Sequence, residues 1–365
     1  MTYIITFIYS IAVTGIPNGL WTQFQRQSLW KYLTVSLLII LPWLLVCGGQ
    51  FETGTDYTSY MDTFDTGEVS LFINKREFLF AEIVRIYHLL NLPPQGLYFI
   101  FYSICFIFFF AICHKLNNKY LWVYILLYFC VSNLFFNQLN GLRQSVAVYI
   151  ISYATLLLNT HKGTLKFILW IAFSSLFHAS SWFALIILLF NSFQLKQGLI
   201  RALLLCSLLI SALGTSFINY IFNLFTGIIP TIYLHLLEGS FNTSVGLLGL
   251  LPKFILFPLY WVSIKYLLIN RNKYLSSLYH IGIFCYMFRL ISIQNIIFDR
   301  LGYIFVLLSI FPLFLYWSEL LKERKILQFS IYAFVPIALF FSKIILFPEK
   351  EYLYNSVFYE ALSSV

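Results

Sequence analysis

An arginine and several amide side chains gather where an apolar stretch begins, in the run NQLNGLRQS at residues 137–145. Asn140, Arg143 and Gln144 stand at i, i+3 and i+4, so a helix that starts here presents all three on one face. A helix N-terminus offers free N–H groups and partial positive charge, and a guanidinium adds a planar fork of donors. The pattern predicts a cradle for phosphate oxygens; the alternative is an arginine that reaches for lipid headgroups.

A histidine stands inside another apolar stretch, in the run FHASS at residues 177–181. A lone His178 is often a packing residue, but the neighbouring hydroxyls, Ser180 among them, favour a functional one. An imidazole there is suited to orienting a phosphate or to taking a proton from a hydroxyl.

A carboxylate flanked by aromatic rings follows the second apolar stretch, in the run GTDYTSY at residues 54–60. The rings of Tyr57 and Tyr60 suit the faces of a sugar, and Asp56 suits its hydroxyl groups. The alternative is an ordinary Asx-type loop.

A further polar group runs across the short loop 294–299 and into the apolar stretch that follows it. Its members are Arg289, Gln294, Asn295, Asp299, Arg300 and Tyr303. Arg300 and Tyr303 share a helical face, and Asp299 beside Arg300 has the alternative of a simple interfacial ion pair.

Together these groups predict a site for an anionic headgroup, such as a diphosphate on a long lipid. The arginines would stabilise negative charge on the diphosphate as it leaves, and Asp56 or His178 would deprotonate an attacking sugar hydroxyl. We see no metal-ligand set and no glycosidase-like carboxylate pair, and we expect no metal and no cofactor.

The composition sets the class of protein that must position these groups. The 365 residues are 60% hydrophobic and only 10% charged, with a mean hydropathy of +0.83. A soluble domain carries roughly 25% charged residues, so a soluble enzyme, a disordered chain and a secreted disulfide scaffold are excluded. The expected fold is an all-α, polytopic membrane helical bundle, one transmembrane domain over 1–365.

About ten spans of membrane length are predicted. They cover residues 2–16, 30–46, 97–113, 120–136, 142–158, 202–224, 245–268, 275–293, 300–317 and 326–346. The segment 167–190 is flanked by basic loops at both ends, and basic loops mark the cytoplasmic side. A re-entrant segment, broken at His178, restores the alternation of all later loops, whereas a plain span requires another span to have been miscounted.

This topology places both termini and the segment 48–95 on the outer side, where most acidic residues fall. Within that segment the run 78–90 has apolar residues at helical spacing together with Glu82, Arg85 and His88, and is predicted to lie in the membrane interface. The net charge of +9 is therefore explained largely by basic loops that orient the protein in the membrane. Nucleic acid is not an expected partner.

The order GTDYTSY, NGLRQS, FHASS and a late DRLGY resembles the EpsG family of polysaccharide polymerases, Wzy-like proteins of bacterial O-antigen, capsule and exopolysaccharide pathways. The resemblance covers residues of about 50 to 310 as four short motifs, and it implies a GT-C-type glycosyltransferase in the inner membrane that works on the periplasmic side. The implied reaction moves a glycan from undecaprenyl diphosphate to the distal sugar of a lipid-linked repeat unit. A chain-length regulator is a further implied partner, beside membrane lipid.

Carried over to this chain, the resemblance implies catalytic roles for Asp56, Arg143, His178 and Arg300. The remaining candidates are substrate-binding residues: Tyr57, Tyr60, Asn140, Gln144, Ser180, Arg289, Asp299 and Tyr303. Two other functions stay open, an O-antigen ligase, which the short late outer loops at 225–244 and 294–299 disfavour, and a lipid-linked oligosaccharide flippase, for which two related halves would be expected.

Overall fold

The chain folds into helices throughout the part that the structure describes. The structure is a computed structural model, and it describes residues 1–15, 29–116, 119–213, 247–269, 272–292, 296–346 and 352–363. Within those ranges there is no β-strand, and one isolated antiparallel bridge joins Gln50 to Ser356. The predicted all-α class is therefore confirmed.

Among the described residues, three helices are long and apolar enough to cross a bilayer, Gln95–Leu116, Lys273–Ser292 and Ile326–Ile345. Eight shorter apolar helices accompany them in the same ranges. This set of apolar helices is compatible with a membrane-embedded bundle. Residues 214–246 lie outside the described ranges, so the end of the predicted span 202–224, the start of 245–268 and the loop 225–244 do too.

The described residues form two compact units, of which the first comprises Met1–Leu185 and Pro336–Val365. Its helices are α1 (Thr2–Gly15), α2 (Leu29–Gly48), α3 (Tyr57–Thr66), α4 (Ser70–Asn74), α5 (Phe78–Leu89), α6 (Gln95–Leu116), α7 (Leu121–Leu127), α8 (Leu134–Asn137), α9 (Leu142–Leu157), α10 (Gly163–Ser175) and α19 (Val357–Ser363). Helix α9 packs on both α6 and α10, and α2 packs on α6.

An aromatic cluster holds the centre of this first unit. The ring of Trp43 stacks on Tyr128 with centroids 5.3 Å apart and meets Phe109 at 5.1 Å. Its indole N–H donates to Ser10 Oγ at 2.8 Å, so the polar end of the buried ring is satisfied. These contacts join α1, α2 and α6.

The second unit, Ile186–Val335, is built around one long helix. Its helices are α11 (Ile187–Ser192), α12 (Gln197–Leu213), α13 (Leu247–Ser263), α14 (Tyr266–Ile269), α15 (Lys273–Ser292), α16 (Ile296–Tyr303), α17 (Phe311–Lys322) and the first half of α18 (Ile326–Ile345). Helix α15 packs on α11, α12, α16 and α17. A Cβ at Gly282 would meet Pro312 at 2.5 Å, so α15 and α17 approach closely there.

Two predicted spans are interrupted. The span 120–136 consists of α7, a π-helical turn at Tyr128–Ser132 and α8, with Asn133 between them at a φ of 54°. Asparagine tolerates this left-handed conformation better than most residues. The span 300–317 is divided between α16 and α17, and Pro312 stands in the first turn of α17, a position that suits proline.

The segment predicted to be broken at His178 is broken there. Helix α10 ends at Ser175, and a 3₁₀ helix, Ala179–Ile186, follows before α11 begins. The two pieces therefore are not one continuous α-helix. That both ends of the segment lie on the same side of the membrane stays a prediction.

We expect cysteines placed at Thr164 and Gly198 to be labelled from the same, cytoplasmic side. Both positions lie near the starts of α10 and α12, and Thr164 is exposed. A Cys206→Ser background is needed, because Cys206 is exposed whereas the other five cysteines are buried. A Thr58→Cys variant, at an exposed position of α3, should be labelled from the opposite side. Labelling of the first two positions from opposite sides would exclude the re-entrant topology.

The outer segment contains the helices α3, α4 and α5. Helix α5 matches the amphipathic run predicted over 78–90: Phe80, Ala81 and Val84 are buried, while Ile86 and Leu89 are exposed. An exposed apolar face beside charged residues fits the predicted interfacial position.

Both chain termini lie beside the start of this outer segment. Val357 N donates to Gly49 O at 2.9 Å, Phe51 N donates to Asn355 O at 3.1 Å, and the hydroxyls of Thr2 and Tyr359 are 3.2 Å apart. These contacts are compatible with the predicted topology, in which both termini and residues 48–95 lie on the same side; the side itself stays a prediction.

Candidate functional site

A buried carboxylate, Glu77, joins two of the predicted site residues. Glu77 caps the N-terminus of α5, but its side chain makes no capping hydrogen bond and turns into the protein, where it is 1% exposed. Its Oε2 pairs with Arg143 Nη1, and its Oε1 lies 2.8 Å from His178 Nδ1. The backbone N–H of Ala179 also donates to Oε1, at 3.3 Å.

Arg143 is the second residue of α9, and its guanidinium is enclosed by aromatic rings. Its central carbon lies 4.6 Å from the ring centroid of Phe72 and 5.6 Å from that of Phe80. Its Nε donates to the Tyr60 hydroxyl at 3.2 Å, and 17% of its side chain is exposed. This guanidinium was predicted to face a phosphate. In the structure it forms an ion pair with Glu77 and lies against aromatic rings, whose faces attract cations.

His178 stands in the break after α10, where backbone hydrogen bonds fix its position. The carbonyl of Leu176 accepts from the N–H groups of Leu79 and Phe80 at 3.0 and 3.3 Å, which joins this break to the first turn of α5. His178 N donates to Ser174 O at 3.1 Å. The side chain is 23% exposed. The imidazole is therefore the more exposed end of the row of hydrogen-bonded side chains Arg143–Glu77–His178.

The electrostatics of this chain favour an ionised carboxylate. Burial acts to raise the pKa of Glu77, but the hydrogen bond with His178 and the positive charge of Arg143 outweigh it, and the pKa lies below its ordinary value of 4.5. An ionised carboxylate accepts only, so the neutral imidazole must carry its proton on Nδ1. Its Nε2 is then the atom with a free lone pair.

The motifs GTDYTSY and NGLRQS are joined through Asn140. Helix α9 begins only at Leu142, so Asn140 lies in the turn before it and not on the helical face predicted for it. Its Oδ1 accepts from Thr55 N at 2.6 Å. Gly54, next to Thr55, has a φ of 85°, and a Cβ there would be 2.2 Å from the same Oδ1.

We expect Gly54→Ala to destabilise the protein by about 2 kcal/mol, because alanine is strained at this φ and its Cβ displaces Asn140. The apparent melting temperature of the purified protein in detergent measures this. Gly198→Ala is the matched control, since no atom lies within 4 Å of its Cβ position. Equal melting temperatures for the two variants would show that the loop yields to the side chain.

The sequence profile of the EpsG family matches residues 33–358. This chain belongs to the EpsG family. The resemblance read from the four motifs is thereby confirmed, and all four lie within the matched range. No curated protein and no solved structure matches the chain. Membership and the apolar helices together indicate a membrane protein with a function related to polysaccharide polymerisation.

In this EpsG-family protein the tyrosine rings of the GTDYTSY motif pack against other side chains of the protein. Tyr57 and Tyr60 are buried, and Tyr57 stacks on Tyr98 with centroids 5.6 Å apart. Asp56 is exposed beside them. Tyr60 contacts Arg143, whereas Tyr57 packs on Tyr98 and Phe51; the sugar-stacking role of the two rings stays a prediction.

Two further predicted residues lie beside this cluster. Ser180 Oγ is buried and has no hydrogen-bond partner within the part of the chain that the structure describes. Gln144 follows Arg143 on α9 and is half-buried. The hydroxyl group of Ser180, two residues after His178, can therefore still form a hydrogen bond, as its predicted contact with substrate requires.

The last predicted group belongs to the second unit of this EpsG-family protein. Asp299 does not lie in a loop over 294–299 as predicted, because α16 begins at Ile296; Gln294 and Asn295 fall outside the described residues. Arg289 donates to Ser309 Oγ at 3.2 Å. A Cβ at Gly302 would lie 3.7 Å from Arg289 Cγ, so the helix bearing Arg300 and Tyr303 packs closely against Arg289.

Proposed function

We propose that this EpsG-family protein is a polysaccharide polymerase of the bacterial inner membrane. It transfers a glycan from undecaprenyl diphosphate to the distal sugar of a lipid-linked oligosaccharide repeat unit on the periplasmic side. The observation that carries this proposal beyond family membership is the partly exposed imidazole of His178, held by the buried Glu77, which is itself paired with Arg143. This arrangement provides an oriented base at the end of the protein where the predicted outer segment lies.

The reaction needs one proton acceptor and one stabilised leaving group. Nε2 of His178 takes the proton of the attacking sugar hydroxyl while that oxygen bonds to the anomeric carbon of the growing glycan. The bond between this carbon and the diphosphate oxygen breaks, and the lipid diphosphate leaves with the electron pair. Asp56 is the weaker candidate for the base, because its carboxylate is exposed and accepts a hydrogen bond from the equally exposed Thr55 at 3.3 Å.

A leaving diphosphate is stabilised by positive charge. Arg143 forms an ion pair with Glu77, and a catalytic role for Arg300 and a substrate-binding role for Arg289 are further parts of the proposal. Arg300 is exposed, as a residue that meets a lipid headgroup from outside must be. A GT-C-like fold and an interaction with a chain-length regulator are parts of the same proposal.

Reconstitution tests this function directly. The purified protein is placed in liposomes with lipid-linked repeat units accessible on its outer face, and the products are separated by chain length. A ladder of glycans formed without other proteins supports a polymerase. Movement of the repeat unit across the bilayer without a ladder would show a flippase. Transfer to a lipid A core alone would show a ligase, and either result would overturn the proposal.

A further inference from the structure

Glu77 differs from the other acidic residues in the part of the chain that the structure describes. It is the buried acid there, and its two oxygens receive partners from two other segments, Arg143 of α9 and His178 with Ala179 in the break after α10. A contrasting acid on the same helix, Glu82, is exposed and pairs with Arg85 three residues away.

An ion pair with Arg143 does not by itself explain this arrangement. Burying a carboxylate is costly, and an apolar pair of similar volume is often at least as stable. Arg143 uses one oxygen of Glu77, whereas the other oxygen is given to the imidazole. The exposed fraction rises from 1% at Glu77 to 23% at His178, so the buried charge acts on a group that faces outward.

We propose that Glu77 is a positioning residue for the glycosyl transfer, holding His178 through Nδ1 so that Nε2 is the atom that accepts the sugar proton. This inference rests on the proposed function. Glu77 sets the tautomer before reaction and stabilises the imidazolium after the proton has moved. The groups that bear on His178 are Glu77 of α5 and, through it, Arg143 of α9 and Tyr60 of α3.

Arg143 has a defined part in the same proposal. Together with the His178 hydrogen bond, its charge holds the pKa of Glu77 below the ordinary value in spite of burial, and only an ionised carboxylate accepts from both neighbours at once. The ring pocket of Phe72, Phe80 and Tyr60 holds the guanidinium in place. Arg143 is therefore also a positioning residue, acting through Glu77.

The backbone around His178 depends only in part on this carboxylate, which accepts one bond there, from Ala179 N at 3.3 Å. The hydrogen bonds from Leu79 and Phe80 to Leu176, and from His178 N to Ser174, stay available when the charge is removed. Ser181 Oγ adds a bond to His178 O at 2.7 Å. A variant at Glu77 can therefore retain the helix break at His178 while the imidazole loses the partner that fixes its orientation and tautomer.

Glu77→Gln is the decisive variant. The amide can offer its oxygen to Arg143 only by turning its NH₂ toward Nδ1, which forces the proton onto Nε2 and blocks its use as a base. In the liposome assay we expect kcat to fall by at least about 100-fold with little change in KM.

Glu82→Gln is the matched control, with the wild-type rate expected. In a His178→Gln background, Glu77→Gln should cause no additional loss, since the two residues act as a unit. Glu77→Asp covers the case in which the glutamine variant does not fold, and should retain part of the wild-type rate, because aspartate keeps the carboxylate.

The inference is overturned if folded Glu77→Gln polymerises at the wild-type rate, or if its loss of rate only matches its loss of folded protein. It is overturned equally if the two substitutions are additive. Failure of the wild-type protein to form a ladder would instead reject the proposed function, so the two failures are distinguishable.

Discussion

Replacing His178 with glutamine is expected to lower the polymerisation rate by about 10²- to 10⁴-fold, the contribution usual for a general base. Glutamine occupies a similar volume and hydrogen-bonds, but it takes up no proton near neutral pH. The backbone hydrogen bonds that shape the break are accepted by the carbonyl groups of Leu176 and Ser174 and do not involve the imidazole. The loss should therefore appear in kcat, measured as ladder growth in liposomes, while the lipid-linked substrate still binds.

His161→Gln provides the control for this prediction, because His161 lies in an exposed loop of the same unit. We expect it to retain the wild-type rate. A folded His178→Gln variant that makes long glycans would contradict the assignment of the base, and attention would turn to Asp56. A variant that binds no lipid-linked substrate would show that His178 acts in binding instead.

Much of this site was predictable from the sequence because polar residues are scarce in so apolar a chain. The motifs around Asp56 and Asn140 are each weak, yet their order predicted one site, and the Thr55–Asn140 hydrogen bond joins them. The break at His178 was predictable from the basic loops on both sides of 167–190. Each of these signals comes from a residue that an ordinary apolar span would not contain.

Glu77 was not predicted, and the reason is physical. In the sequence it follows Lys75 and Arg76, and a run of three charges is typical of a solvated turn. Its burial depends on contacts with Arg143 and His178, which are 66 and 101 residues away in the chain. The one local signal is its place directly before an amphipathic helix, where an acid usually caps the helix.

The interrupted helices were missed for a related reason. Hydropathy measures whether a segment can enter a membrane, and it is insensitive to the conformation of one residue within that segment. The left-handed Asn133 and the proline in the first turn of α17 are visible only when conformational preference is considered position by position. Such breaks place polar backbone groups inside the bundle, where neighbouring protein must satisfy them.

Replacing Arg143 with methionine is expected to destabilise the protein by about 3 kcal/mol at neutral pH, because it leaves the Glu77 carboxylate buried without its counter-charge. Arg143→Lys keeps a positive charge but loses the Nε bond to Tyr60, so its expected loss is about 1 kcal/mol. Arg85→Met is the matched control: its partner Glu82 is exposed like itself, and such surface pairs contribute little. Apparent melting temperatures in detergent give the comparison.

The dependence on pH separates a lost charge pair from lost packing. In the wild type the pKa of Glu77 is lowered, so its stabilisation is present above the ordinary glutamate pKa and is lost as pH falls through the lowered value. Without Arg143 the carboxyl group loses one of the contributions that lower its pKa, so the pKa of Glu77 rises. The stability deficit of the methionine variant should therefore shrink as the pH falls. A deficit that stays constant between about pH 8 and pH 5 would show that the arginine stabilises the protein through its aromatic contacts rather than through Glu77.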